Sequence, residues 1–263
     1  MNWILVSGAG GGMGRAFVRI MAEQGCTVFA LDRTPCRAQE NVIPLTADVT
    51  DEQSLQAAAR IVCGYTKRLF AIVHFAGLYR MDSLIEMESA AFSEIFSVNL
   101  CGAAALNRVF FPFLSAGSRI LITTSELAPL LPLPFTGIYA VSKAALDRYA
   151  YALRMELQLR GISVSVLRAG AVKTDMLGAS VSQLERFCAK TELYRCNAAR
   201  FRSIVNHVEA KHIPPEKLAR FAAKILRKKR PCFAYAINRN PLLLLFSVLP
   251  SRLQFFLIRK ILD

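Results

Sequence analysis

The chain has 263 residues, 54% hydrophobic and 20% charged, enough to bury one large core, and α/β chains of this size commonly form a single domain. Its seven cysteines, at 26, 36, 63, 101, 188, 196 and 232, are an odd number without paired metal-ligand spacing, which argues against a disulfide framework and against any metal site, and they read as reduced, mostly buried thiols of a cytoplasmic protein. The net charge of +14 is uneven, with 17 Lys+Arg against 4 Asp+Glu in 186–263 and 16 against 15 before it; no nucleic-acid fold signature accompanies the basic third, so nucleic acid is not expected, and anionic lipid or an acidic partner remain.

The chain opens on the apolar run WILVS, without the basic start, long hydrophobic segment and cleavage site of a signal peptide, so export is not expected. This run predicts a strand, followed by a helix from about Met13 to Gln24, strands in TVFAL and NVIPL, and a helix from about Glu52 to Tyr65. Next come a strand in LFAIVHF, one long helix ending near Phe113 and a strand in SRILITTS. A helix carrying Tyr139, a strand in ISVSVLR, a polar and helical insertion over 174–212, and a last strand in PCFAYAIN complete the pattern. Strands bounded by Gly and Pro with helices between them predict an α/β fold. Its core is a doubly wound, Rossmann-type parallel sheet of about seven strands with helices on both faces. Residues 1–239 form one domain in this reading, with 174–212 as a lid, and 240–263 are an apolar and basic C-terminal tail.

The first strand runs into SGAGGGMGR, residues 7 to 15. Glycines at a strand-to-helix turn let backbone approach a pyrophosphate, and the helix N-terminus presents unpaired N–H groups and a positive dipole end. Gly8, Gly12 and Gly14, with Ser7 and Met13 between and before them, therefore predict a nucleotide site. The second strand ends at Asp32, 24 residues after Gly8. A carboxylate there accepts hydrogen bonds from a ribose 2′-hydroxyl and repels a 2′-phosphate, which points to NAD; neighbouring Arg33 could instead hold that phosphate, and NADP is the alternative. Asp48 and Val49 follow the third strand, within reach of an adenine.

The stretch YAVSK sets Tyr139 and Lys143 four residues apart, on one face of a helix. A cation beside a phenol favours the phenolate, lowers the pKa and makes the hydroxyl a usable acid and base.

Together these residues resemble the short-chain dehydrogenase/reductase family. Gly8, Gly12 and Gly14 match its cofactor glycines, Asp48 its adenine-contacting acid, and Ala76-Gly77 the end of its Asn-Asn-Ala-Gly motif. Asn99, Ser125, Tyr139 and Lys143 match its catalytic tetrad in order and spacing, and the resemblance runs from about Trp3 to Thr174. It implies hydride exchange between a nicotinamide and a substrate carbon. Tyr139 would be the acid/base and Lys143 would lower its pKa and hold the nicotinamide ribose; Ser125 would bond the substrate oxygen, and Asn99 would hold a water linking Lys143 to solvent. Gly170, Val172 and Thr174 fit the nicotinamide-binding segment, with Thr174 on the carboxamide. Two departures stand out. His74-Phe75 replaces the two asparagines, which implies apolar packing in place of a polar tie, with His74 as a strand-end structural residue. Ala169 replaces a proline, which implies a looser loop leading to the lid.

Apolar walls are expected from LAPLLPLPF, residues 127 to 135, and from Met176, Leu177, Val181, Leu184, Phe187 and Leu193 in the lid. They favour a hydrophobic small-molecule substrate such as a steroid, a retinoid or a long acyl chain. In the tail, Leu253, Phe256, Leu257 and Ile261 form a helical stripe beside Arg252 and Arg259, which suits peripheral contact with an anionic membrane at its inner face; capping of the pocket or an oligomer interface is the rival. The resemblance also implies a homodimer or homotetramer built through the helices of Asn99 and Tyr139. The expected activity is an NAD(H)-dependent oxidoreductase of the hydroxysteroid or retinol dehydrogenase kind, acting on a CH–OH group. The alternatives are an NADPH-dependent 3-oxoacyl reductase, whose basic third would dock an acidic carrier protein, and a non-catalytic NAD-binding sensor or scaffold.

Overall fold

The computed structural model describes residues 2–207 and 212–263, with the side chains at 175–180 and 206–207 outside the described set. Its centre is a parallel sheet of β1 (Trp3–Ser7), β2 (Thr27–Asp32), β3 (Val42–Thr46), β4 (Ala71–His74), β5 (Arg119–Thr123), β6 (Ser163–Ala169) and β7 (Ala234–Ile237). The order across the sheet is β3-β2-β1-β4-β5-β6-β7. In β1 the register places Ile4 beside Val28 on one side and Ala71 on the other. Both faces are covered, which is why β1 and β2 read as unbroken apolar runs; Ile4, Leu5, Val6, Phe29 and Leu31 are fully buried.

The side-chain alternation of a strand divides these runs between two cores. Ile4 and Val6 face a layer made by α1 (Gly12–Glu23) and α8 (Pro215–Leu226), with Phe17, Met21, Leu218 and Ala222 between them. Leu5 and Ile72 face the opposite layer of α2 (Glu52–Tyr65), α4 (Gly102–Phe110) and α5 (Gly137–Leu157), where they meet Leu55, Leu106, Phe110 and Leu146. Asp51 starts α2 by accepting from the Gln53 N–H at 2.9 Å, a carboxylate cap placed at the positive end of the helix.

The single helix expected to end near Phe113 is instead broken into α3 (Ser89–Phe96), a π-helical turn (Ser97–Cys101), α4 and a 3₁₀ turn (Phe111–Phe113). Among the described residues, 89–113 is also the one stretch long and apolar enough to cross a membrane, and here α4 lies along the sheet with Leu106 and Phe110 buried. The insertion forms α6 (Asp175–Lys190) and α7 (Arg195–His207). The tail forms α9 (Pro241–Ser247) and α10 (Ser251–Leu262). It docks partly back: Ile258 and Leu262 join Leu184 and Phe201 of the lid, and Asn197 donates to the Leu262 carbonyl at 2.8 Å. The cysteines correct the sequence reading. All seven are free, yet only Cys26 is buried, while Cys63, Cys101, Cys196 and Cys232 are exposed.

Candidate active site

The direction of chain progression reverses between β1 and β4, and a crevice opens there beyond the C-terminal ends of the strands. It holds a cavity of about 380 Å³ lined by Gly8, Gly12, Met13, Gly14, Asp32, Arg33, Asp48, Val49, Ala76 and Gly77. Ser7 does not join them. It is fully buried, off the cavity, and its Oγ has no hydrogen-bond partner among the described residues.

Gly8 has φ +68°, and a Cβ there would lie 2.4 Å from the Ala76 nitrogen; a Cβ on Gly14 would lie 2.1 Å from the Gly8 oxygen. Bare backbone is therefore required for β1, β4 and α1 to converge. Helix α1 opens after Gly11 without a side-chain cap, which leaves its first N–H groups for an anion. Asp32 is fixed from both sides: Oδ2 accepts from Gly10 N at 2.9 Å, and Oδ1 accepts from Thr34 N at 3.1 Å and Thr34 Oγ1 at 3.0 Å. Asp48 accepts from Thr50 N at 2.8 Å and Thr50 Oγ1 at 2.7 Å, and these bonds, the backbone one first, hold its carboxyl below the usual range. A helix terminus for phosphate, an oriented acid for ribose and a slot between Asp48 and Val98 fit a dinucleotide.

A second cavity of about 430 Å³ shares Met13, Phe75, Gly77 and Thr174 with the first, and is also lined by Ser125, Tyr139, Lys143, Gly170 and Val172. Ser125 follows β5, while Tyr139 and Lys143 project from one face of α5, with the Lys143 Nζ 5.8 Å from the Tyr139 ring centroid. The phenol is pushed up to about 12, mainly by burial; a hydrogen bond with Ser125 opposes this and the charge of Glu126 adds to it. Burial brings the Lys143 ammonium down to about 8. The expected lowering of the Tyr139 pKa is thus outweighed, because the same desolvation that penalises the phenolate also penalises the cation meant to stabilise it.

Asn99 lies in the π turn and is buried, off both cavities. Its Oδ1 accepts from Leu78 N at 2.7 Å, and Nδ2 donates to Leu78 O and Ser142 Oγ, each at 3.0 Å. Ser142 Oγ donates to Tyr139 O at 2.8 Å, so the carboxamide joins the segment after β4 to the first turn of α5. Its Oδ1 and the Lys143 Nζ both lie against Gly77: a Cβ there would lie 3.2 Å from Oδ1 and 3.1 Å from Nζ. The wider turn is what lets a helical residue reach across. Further along α5, Asp147 holds Arg168 of β6 in a two-pronged ion pair, Nε to Oδ1 at 3.1 Å and a terminal nitrogen to Oδ2 at 2.7 Å.

His74 ends β4 as the buried structural residue expected, but the apolar packing expected there and the looser loop expected at Ala169 are not what the structure shows. His74 keeps a polar tie: its Nε2 donates to Asn107 Oδ1 at 2.9 Å, and Asn107 Nδ2 donates to Tyr149 Oη at 3.2 Å. Burial lowers His74 to about 4 and keeps it neutral. Ala169 is no loose hinge, because it extends β6 beside Ile237, accepts from Glu126 N at 2.9 Å and precedes a Gly170 whose N–H bonds Ile237 O at 3.0 Å.

The walls of the second cavity include Leu127, Leu133, Val181 and Leu184. Phe187 stands behind the wall, its ring tilted against Phe135 at 4.5 Å, and Leu193 is exposed; the side chains of Met176 and Leu177 lie outside the described residues. Glu86 fastens the lid, accepting from Thr191 Oγ1 at 2.6 Å, Glu192 N at 2.7 Å and Leu193 N at 3.0 Å. Sequence reasoning missed Tyr79, Glu126, Phe201, Asn240 and Leu243 as lining residues. The acid at 126, directly after an apolar strand and Ser125, was the one visible sign; the others are brought in only by tertiary packing.

Residues 2–185 match the family profile described as short chain dehydrogenase. The chain belongs to the short chain dehydrogenase family. This short chain dehydrogenase is similar to a 3-ketodihydrosphingosine reductase of Bacteroides thetaiotaomicron, at 26% identity over 88% of this chain and 85% of that one. It is 30% identical to an estradiol 17-beta-dehydrogenase 2 of Mus musculus over 66% of this chain and 49% of the relative, so it spans about half of that protein's length. Among solved structures, a short chain dehydrogenase from Burkholderia cenocepacia in complex with NADP matches with TM-score 0.74, at 21% identity, over 100% of this chain and 98% of that one. Membership makes the chain an oxidoreductase on an NAD(P)-binding fold.

Proposed function

We propose that the protein interconverts a secondary alcohol and a ketone on a lipophilic body such as a steroid, retinoid or other lipid, with NAD(H) as its cofactor. The observation that carries this reading is the meeting of the two cavities at Met13, Phe75, Gly77 and Thr174, beside Ser125, Tyr139 and Lys143 and under apolar walls. Bound NAD(H) supplies or accepts the hydride. In reduction, the Tyr139 phenol gives its proton to the carbonyl oxygen as that oxygen becomes an alkoxide, and in oxidation it takes the proton back. The Ser125 hydroxyl donates a hydrogen bond to the same oxygen and holds it against Tyr139. Lys143 supports the phenolate form and addresses the ribose, while Asn99 fixes α5 against Leu78. Asp32 presents two oriented oxygens to a ribose diol and repels a 2′-phosphate; this favours NAD over NADP, and so favours this reading over an NADPH-dependent 3-oxoacyl reductase. The relatives whose names carry 3-ketodihydrosphingosine and estradiol support a lipophilic body.

The same reading gives the tail a partner. Leu242, Leu245, Val248, Phe255, Phe256 and Ile261 are all at least half exposed, beside exposed Arg252, Arg259 and Lys260, while Asn240 and Leu243 reach the second cavity. This combination suits an anionic lipid surface next to the substrate entrance. On the other side, Val141, Tyr151 and Met155 leave an exposed apolar face on α5 for a second copy.

A panel of lipophilic alcohols and ketones with wild type and Tyr139→Phe tests the proposal. Loss of the phenolic hydroxyl should lower kcat by about 10²–10⁴-fold while NADH binding persists, and undiminished turnover would remove Tyr139 as the acid/base.

A further inference from the structure

Glu126 has no place in the mechanism above, yet it lies next to Ser125 in the chain and lines the substrate cavity. Only 8% of it is exposed. One carboxylate oxygen, Oε2, accepts from Asn240 N at 2.5 Å. The other, Oε1, has no hydrogen-bond donor among the described residues, and no Lys or Arg there pairs with Glu126 within 4.0 Å. Arg239 acts on it only through space from an exposed position. The cavity it lines has apolar walls at Leu127, Leu133, Leu184, Phe201 and Leu243, and Tyr139, Lys143 and His212 are the other titratable groups of that lining. A carboxylate in such a setting is costly unless a partner of opposite charge arrives. Burial accordingly raises its pKa, and its charge also makes the Tyr139 phenol harder to ionise.

We propose that Oε1 of Glu126 anchors a protonated amine on the substrate, so that the substrate class is a lipophilic amino ketone or amino alcohol with its amino group close to the reacting carbon. A hydroxyl donor would satisfy Oε1 but leave the charge uncompensated. An ammonium does both, and cancels the field that opposes ionisation of Tyr139 at the moment of proton transfer. A carboxylate or phosphate headgroup is repelled from the same position. This inference rests on the alcohol/ketone reading and narrows its substrate.

The test has two arms on the full chain. The first is kinetic, comparing wild type with Glu126→Gln on matched long-chain ketones with and without an adjacent amino group. A charged hydrogen bond is worth roughly 1.5–3 kcal/mol, so the ratio of kcat/KM for the amino over the plain ketone should fall by about 10–100-fold in the variant. A purely structural Glu126 would lower both substrates together and leave the ratio unchanged, which would overturn the proposal. The second arm needs no turnover and no variant: competition by dodecylamine, dodecanol and dodecanoate in the NADH-loaded wild type. Dodecylamine binding most tightly, with its advantage shrinking as Glu126 is protonated at low pH, supports the amine site. Equal binding, or preference for dodecanoate, overturns it. Failure of every ketone in the first arm, with dodecylamine still preferred in the second, would count against the proposed reaction and not against the amine site.

Discussion

Phe135 offers a test of how the substrate wall is built. It is a non-glycine residue with φ +63°, a conformation that costs roughly 1–2 kcal/mol for an L side chain. Its ring meets Phe187 at 4.5 Å, Tyr194 at 5.3 Å and Phe201 at 5.2 Å, and each aromatic pair contributes roughly 0.5–1.5 kcal/mol beyond area burial. Three such contacts exceed the backbone cost, which is how the 127–135 segment stays pinned to the two lid helices. Phe135→Ala removes the rings and keeps the strain, so it should destabilise the protein by about 3 kcal/mol. Phe135→Gly removes the rings and releases the strain, partly offset by a more flexible unfolded chain, and should be no less stable than the alanine variant, by about 0–1 kcal/mol. Denaturant unfolding gives the two differences, and amide exchange over 187–201 shows whether the lid itself loosens. An alanine variant within about 0.5 kcal/mol of wild type, with unchanged exchange, would refute the claim that this residue holds the wall.

His74 predicts a pH dependence of stability. Its folded pKa of about 4 lies below the ordinary 6.5, so between these values the unfolded chain binds the extra proton and stability rises with pH, being full above 6.5 and lost as pH falls toward 4. The contribution is roughly 3 kcal/mol, and His74→Gln, which keeps a donor for Asn107, should flatten this part of the profile; parallel profiles would contradict the assignment. For the tail, replacing exposed Leu245, Phe255 and Phe256 by serine should leave the unfolding temperature nearly unchanged. Sedimentation with anionic vesicles should show partitioning reduced at least tenfold, since each buried apolar side chain adds roughly 1.5–3 kcal/mol. Wild type that ignores such vesicles would dismiss the lipid contact.

The sheet, its strand number and the meeting of Tyr139 with Lys143 were legible in the sequence because each rests on local spacing: apolar runs between turn residues, and four residues per helical turn. The glycines at 8 and 14 were legible for the same reason, as a turn that only bare backbone can make. Legibility fails where a residue's role depends on what comes to meet it. Asn99 looks like part of an ordinary helix, and only the π turn shows why it reaches Leu78 and Ser142. The His74–Asn107 tie spans 33 residues, and Glu126 meets Asn240 across 114. The Tyr139 pKa reversed direction because burial, unlike spacing, is a property of the whole fold.

The central claim is an NAD(H) site organised by Asp32, and titration of wild type and Asp32→Ala with NADH and NADPH, followed by nicotinamide fluorescence, tests it most directly. A clear NADH preference in wild type, reduced or lost in the variant, is the predicted result. NADPH preference in wild type would contradict it and would transfer the selecting role to Arg33.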